Sequence, residues 1–257
     1  MDPRYRENGE KMTEKIRLDK YLVEMELGTR SEVKKVIRAG GVVVDGEVIK
    51  APETKLSCLE SKVCYQGEEV SYSSHVYFML NKPAGVVSAT EDKKDKTVLD
   101  LLFEKRKKDI FPVGRLDKDT EGLLLLTDDG ALAHDLLSPK KHVDKVYYAR
   151  VEGIMEDSDI DAFMEGIWID SETKTKPAKL EIQSVDKVTE QSEVTITLQE
   201  GKFHQVKRMV EAVGKRVTYL KRLSMGTLIL DESLLAGEYR SLTTEEVEAL
   251  KNRSTIC

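Results

Sequence analysis

Residues 112–130 read PVGRLDKDTEGLLLLTDDG, and the rest of the chain is best understood outward from them. A short apolar entry meets a loop bracketed by Gly114 and Gly122 and crowded with Arg115, Asp117, Asp119 and Glu121. Four consecutive leucines, Leu123 to Leu126, then lead to an acidic turn. An apolar run of that length suits a strand covered on both faces. The two glycines permit a sharp bend and let another molecule approach the backbone closely. A carboxylate at the end of such a rigid strand is well placed for chemistry, and Arg115 beside it is expected to keep Asp117 ionised.

The same acids also imitate a calcium loop. Asp117, Asp119, Glu121, Gly122 and Asp128 fall at the first, third, fifth, sixth and twelfth places of an EF-hand-like pattern. The twelfth place holds Asp where a bidentate Glu is needed, the ninth is Leu125, and Pro112 and Gly114 exclude a leading helix. The calcium reading is therefore set aside, and a calcium-dependent melting temperature is not expected.

The chain has 257 residues, enough for one large or two ordinary domains with a sizeable core. Its 41 Lys and Arg against 47 Asp and Glu leave a net charge of −6. That balance argues against a protein that coats nucleic acid nonspecifically, but a local basic face suffices for RNA. The expected surface is divided, basic around a cleft and acidic behind it. No apolar stretch approaches the ~20 residues of a membrane span, and the charged N-terminus lacks a signal-peptide core. A cytoplasmic protein with no membrane partner is expected. Cys58, Cys64 and Cys257 are odd in number and lack C-x-x-C spacing, while His75, His134, His142 and His204 are scattered. Neither a disulfide framework, a metal site nor a cofactor is expected.

Residues 1–15 are polar and aperiodic and are expected to form a disordered tail, with Met12 as an alternative start. Residues 16–75 form a first domain and its linker. IRLDKYLVEM places Ile16, Leu18, Tyr21, Leu22 and Met25 at helical spacing, and Thr29 or Ser31 can cap a second helix ending at Gly40–Gly41. GGVVVDGEVIKAP reads as a hairpin turning at Asp45–Gly46. On the second helix Lys34, Lys35 and Arg38 form one basic edge able to meet phosphates.

Residues 76–257 form a second domain. Val76, Phe78 and Leu80 alternate along a strand that ends at Lys82-Pro83, and TVLDLLF reads as a short helix. After the leucine strand, GALAHDLLSP is a helix capped by Asp128 or Asp129 and stopped at Pro139. KVYYARVEG, KLEIQSV, EVTITLQE and RVTYLKRLSMGTLIL are strands; DSDIDAFMEGI and HQVKRMVEAVG are helices. The mixture is α+β, on a largely antiparallel sheet with flanking helices. On the last helix His204, Lys207 and Arg208 share a side, while Val206, Met209, Val210 and Val213 make the core stripe.

The string Gly114-Arg-Leu-Asp resembles the signature of the RsuA family, the pseudouridine synthases of small-subunit rRNA. The first domain resembles the S4 RNA-binding domain through Arg17-Leu-Asp-Lys-Tyr-Leu, Arg30-Ser, Gly40-Gly-Val-Val-Val and Gly46. That resemblance implies an RNA-binding face with Arg17, Lys20, Arg30, Lys34, Lys35 and Arg38. In the catalytic domain it implies Asp117 as the catalytic carboxylate and Tyr147, two residues after Lys145, as the platform for the base. Strand alternation sends Tyr147 and Tyr148 to opposite faces, so one of the two is expected to be core packing. Lys207 is implied as the basic partner of the aspartate, with Arg115 and Leu220 lining the pocket. Lys82, Arg208 and Arg222 are expected as phosphate contacts or pocket walls.

The implied reaction breaks the N1–C1′ bond of a uridine, rotates the base and rejoins it through C5. A stacked uridine must be extruded to do this. The implied substrate is 16S rRNA in an assembling small-subunit particle, at the uridine equivalent to position 516, acted on by a monomer. Phe203-His-Gln-Val-Lys-Arg-Met is more like the 16S branch than the 23S branches, which carry Asn-Arg before the Gln. A 23S enzyme or a non-catalytic S4-domain assembly factor are the alternative readings.

Overall fold

The computed structural model describes residues 15–25, 27–57, 61–70, 75–103, 109–138 and 140–252. Residues 1–14, Cys58, Cys257, Pro139 and most of the 71–75 linker lie outside them. The chain folds as two compact units, Met1–Ser74 and His75–Cys257.

In the first unit β1 (Lys15–Arg17) runs directly into α1 (Leu18–Glu24), followed by α2 (Arg30–Arg38). Lys15 and Ile16 are therefore strand, not tail and helix. The physical reason is local: Arg17 is extended, and the first helical amides, Leu18 N and Asp19 N, donate to the carbonyls of Thr54 and Pro52. Those bonds hold the chain to the 52–54 segment before the helix begins. Thr29, rather than Ser31, caps α2, in a reciprocal box with Glu32. Next come β2 (Val42–Val44), β3 (Glu47–Val48), β4 (Lys55–Ser57), which pairs back with β1, β5 (Val63–Tyr65) and β6 (Glu68–Val70). Strands β3-β2-β5-β6 form an antiparallel sheet. Its hairpin turns where expected, with positive φ at both Asp45 and Gly46, the pattern of a type I′ turn. Leu18, Tyr21, Leu22, Val33, Ile37, Val42 and Val63 close the core.

The second unit begins with β7 (Tyr77–Lys82), then a 3₁₀ turn over Val98–Leu101, β8 (Phe111–Pro112) and β9 (Glu121–Thr127). Helix α3 (Gly130–Leu137) is capped by Asp129, whose side chain accepts from Leu132 N. There follow β10 (Lys145–Glu152), α4 (Asp157–Glu165), β11 (Lys179–Asp186), β12 (Gln191–Leu198) and α5 (Gln205–Ala212). The unit ends with β13 (Arg216–Met225), β14 (Leu228–Ile229), β15 (Tyr239–Ser241) and α6 (Thr244–Lys251). The sheet order is β11-β12-β10-β13-β9-β7-β15, with β14 beside β13 and β8 beside β9. Among these strands only the β13–β9 contact is parallel.

The leucine run is covered on both faces. Leu123 and Leu125 pack with Met79, Leu132, Leu136 and Leu250 on one side; Leu124 and Leu126 pack with Phe78, Leu80, Val98 and Ile110 on the other. Each fully buried leucine contributes about 1.5–3 kcal/mol. β7 lies between the same two layers, so all six of its residues are buried. Phe78 and Leu80, with Val76 just before them, share one face as their alternation implied, and Tyr77 and Met79 fill the other. The rest of the same sheet carries a second core, in which Ala149, Val151, Val194, Ile196 and Leu220 meet Phe163 of α4 and Met209 and Val210 of α5.

Gly122 is approached by the protein's own β13 rather than by another molecule. A Cβ there would lie 2.3 Å from the Arg222 carbonyl oxygen, at φ +96°. Gly122→Ala should therefore cost about 3 kcal/mol through strain and overpacking combined. Urea unfolding checks this; a midpoint unchanged from wild type would contradict it.

Candidate active site

Asp117 sits in the loop between β8 and β9, and that loop is fastened mainly from β7. The Lys82 side chain is fully buried, and its Nζ donates to the carbonyl oxygens of Pro83 (3.1 Å), Asp117 (3.0 Å), Lys118 (3.4 Å) and Thr120 (2.8 Å). Burial pushes its pKa down to about 8, although Asp119, Asp117 and Glu121 pull the other way. Ser88 Oγ donates to Leu116 O and accepts from Leu116 N, and Gly85 N donates to Lys118 O. Lys82 is thus an internal fastening of the loop, buried behind it rather than exposed as a phosphate contact or pocket wall.

The cation facing Asp117 comes from α5. Lys207 Nζ lies 3.2 Å from Asp117 Oδ2 and 2.6 Å from Asp119 Oδ1. Burial disfavours the ammonium, but hydrogen bonds to Asp119 and Asp117 outweigh it and raise its pKa above the ordinary lysine value. Asp119 moves the opposite way, below the usual carboxylate range, chiefly through its bond to Lys207. His204 Nε2 lies 3.5 Å from Asp117 Oδ1. Arg115 is exposed and makes no ion pair with Asp117 among the described residues, so of the two cations expected at Asp117 only Lys207 is found against it. Asp119 and His204 were missed as site residues. Their signals were two-residue spacing from Asp117 and a shared helix side with Lys207.

The acids do not converge as a calcium loop would. Asp119 faces Lys207, Glu121 accepts from Tyr219 Oη, and Asp128 accepts from Val76 N. Among the described residues no group of three or more His, Cys, Asp or Glu is arranged to hold a metal, and no helix is long and apolar enough to cross a membrane.

Tyr147 lies half-buried on β10, opposite Arg222 of β13, and packs against both cores on that face of the sheet. Tyr148 points the other way, edge-on to Tyr219 at 6.1 Å, and is only half-buried rather than core. Leu220 is 5% exposed and belongs to the core beside Ala149. Arg222 is buried as well, which suits the pocket-wall alternative better than a surface phosphate contact. Its Nε donates to Leu123 O, while its buried Nη2 has no hydrogen-bond partner among the described residues. Arg208 is tied to Ile169 O and Asp170, so it braces α5 against the preceding loop.

In the first unit, Arg17, Arg30 and Lys34 converge on one buried carboxylate, Asp19. Desolvation opposes the Asp19 charge, but its hydrogen bond and charge pairing with Arg17 hold the pKa below the usual value. Lys20 lies 3.5 Å from Glu24. Lys35 and Arg38 are exposed and make no ion pair among the described residues. The basic edge of α2 is therefore carried by these two, with Lys34 drawn aside.

Removing the Lys82 ammonium leaves Pro83 O and Thr120 O without that donor, whereas Asp117 O and Lys118 O keep backbone partners. Lys82→Met should cost about 2 kcal/mol or more and loosen the Asp117 loop. Denaturant unfolding and amide exchange at residues 116–120 measure the two effects. Wild-type protection of those amides would contradict the fastening role.

Comparison with known proteins identifies both domains. The S4 domain profile matches residues 16–74, and that of the RNA pseudouridylate synthase family matches residues 76–212. An uncharacterized RNA pseudouridine synthase of Bacillus subtilis, YtzG, is 49% identical over 236 residues, covering 91% of this chain and 98% of its own. Ribosomal small subunit pseudouridine synthase A of Yersinia pestis is 41% identical over 237 residues, with 91% and 98% covered. A solved pseudouridylate synthase structure with 39% identity superposes at a TM-score of 0.64, covering 91% of this chain and 99% of that one. With both domains matched in order and such identity along nearly the whole length, this chain belongs to the RsuA family of RNA pseudouridine synthases, which are isomerases.

Proposed function

We propose that the protein isomerises one uridine of 16S rRNA, the equivalent of position 516, after extruding it from the RNA into the Asp117 site. The observation that carries this reading is the Asp117–Lys207 pair at 3.2 Å, on a loop fastened from within and on the sheet that carries Tyr147. Isomerisation conserves every atom: N1–C1′ breaks, C5–C1′ forms, C5 loses its proton and N1 gains one. Asp117 either attacks the nucleotide or takes a proton from the ribose, and both routes need the charged carboxylate that the Lys207 ammonium faces. The Tyr147 ring offers a face to the freed base while it turns. Arg222 keeps a buried donor on the same face, suited to a carbonyl or phosphate oxygen of the extruded nucleotide. The small-subunit target is supported by relatives that carry that name at about two-fifths identity. On this reading the enzyme works in the cytoplasm, on assembling ribosomes.

Carbodiimide mapping of rRNA with and without the gene tests this directly. Asp117→Asn should lower the rate at least about 10³-fold, so one 16S signal should vanish and stay absent on rescue with the variant. Loss of a 23S signal instead would move the target, and no lost signal would leave an RNA-binding assembly factor.

The S4 unit is proposed to hold RNA by its phosphates. Lys35→Glu with Arg38→Glu should weaken RNA affinity and flatten its logarithmic salt dependence by about one to two units. An unchanged slope would place RNA elsewhere on the protein.

A further inference from the structure

Phe203 is 75% exposed, and it neighbours His204, whose imidazole faces Asp117. Its ring stacks on His204 with centroids 3.8 Å apart and planes 18° from parallel. The other end of that imidazole is the Nε2 that lies 3.5 Å from Asp117 Oδ1. Only one side chain separates the exposed ring from the reacting group.

The stack is held by its backbone. His204 adopts a left-handed conformation, φ 50° and ψ 34°, at the N-cap of α5, where a non-glycine residue is strained. Flanking bonds oppose relaxation: Lys202 N donates to Gln205 Oε1, Gln205 Nε2 donates to the buried Glu200, and Glu200 also accepts from Lys176 N. Arg208 donates to Phe203 O and to Ile169 O. The second bond ties the loop bearing Trp168, itself 59% exposed, to the same arginine. A rigid segment that leaves aromatic rings open to water beside a nucleic-acid site is suited to stacking an unpaired base, because every base has a π-face.

We propose that Phe203, backed by His204, is the landing platform for the base next to the extruded uridine. This rests on the RNA reading above and deepens it. Extrusion breaks the stacking between the target and its neighbour. A ring waiting at the mouth of the site replaces that contact and keeps the gap open. Tyr147 serves the reacting base inside; Phe203 serves the base that stays outside. The enzyme would then require an unpaired or readily unpaired neighbour, a selectivity set by this pair of side chains rather than by Asp117.

The test is a binding cycle in the Asp117→Asn background, which needs no turnover. Full-length protein is titrated with transcribed 16S rRNA assembled with small-subunit proteins, and with the same RNA made abasic at each nucleotide flanking the target. Phe203→Ala should weaken binding to intact RNA about tenfold, and Phe203→Trp should restore it, while Phe203→Leu should not. One abasic substitution should weaken the Phe203-bearing protein by a similar factor and leave Phe203→Ala unaffected. Because the ring is exposed, the melting temperature should hold in every variant. Equal affinity of Phe203→Ala and its parent, rescue by Leu as good as by Trp, or losses that simply add with the abasic RNA would overturn the platform. Pseudouridine mapping reports separately on the reaction itself, so the two readings fail by different measurements.

Discussion

A lysine ammonium buried among backbone carbonyls holds this site together. Removing a cation from water costs several kcal/mol unless its protons are satisfied where it ends up. Lys82 meets that condition with four carbonyl oxygens, three of them in the Asp117 loop. Carbonyl dipoles carry no net charge, so they stabilise the ammonium without neutralising the carboxylates nearby. An acidic partner at the same place would have bound Lys82 and left the loop unsupported. The carbonyls of residues 117, 118 and 120 must instead turn inward, and the Asp117 side chain is left facing outward to Lys207.

The cation facing Asp117 comes from far along the chain. Lys207 reaches Asp117 only because β13 lies parallel against β9 and α5 packs on the sheet just before it. Gly122 admits that parallel contact, since any side chain would meet the Arg222 carbonyl. One short contact between strands thus sets the relation of Asp117, Lys207, Tyr147 and Leu220. A loop residue such as Arg115 could neighbour Asp117 in sequence without being held there. A helix anchored by Val206, Met209 and Val210 holds its lysine firmly.

Local signals in the chain were legible because they depend on near neighbours. Four leucines in a row announced a strand covered on both sides, Asp45–Gly46 announced a hairpin turn, and Thr29 or Ser31 announced a helix start. The misread residues are those whose surroundings arrive from elsewhere. Lys82 looks exposed beside a Pro-Ala-Gly turn, yet a loop thirty-five residues later folds over it. Arg222 reads as a surface cation in Leu-Lys-Arg, but β9 covers it and takes its Nε. Lys34 has helical spacing with Lys35 and Arg38, and only the tertiary position of Asp19 draws it away. Charge counting could not separate these cases, because a buried cation and an exposed one carry the same formal charge.

That distinction also changes how the protein's acidity is understood. Of the cations expected to meet RNA, Lys82 and Arg222 are buried, Arg208 is paired with Asp170, and Arg17, Arg30 and Lys34 share Asp19. The observed arrangement assigns most of them to fixing backbone and side-chain positions, leaving Lys35, Arg38 and Arg115 exposed without ion pairs among the described residues. A buried or ion-paired cation adds little to nonspecific attraction, so the residues held in this way would serve RNA through fitted contacts rather than free charge. The rigid Asp117 loop, the Tyr147 face and the exposed Phe203 ring are contacts of that kind, and each acts through shape at short range where added salt screens it least.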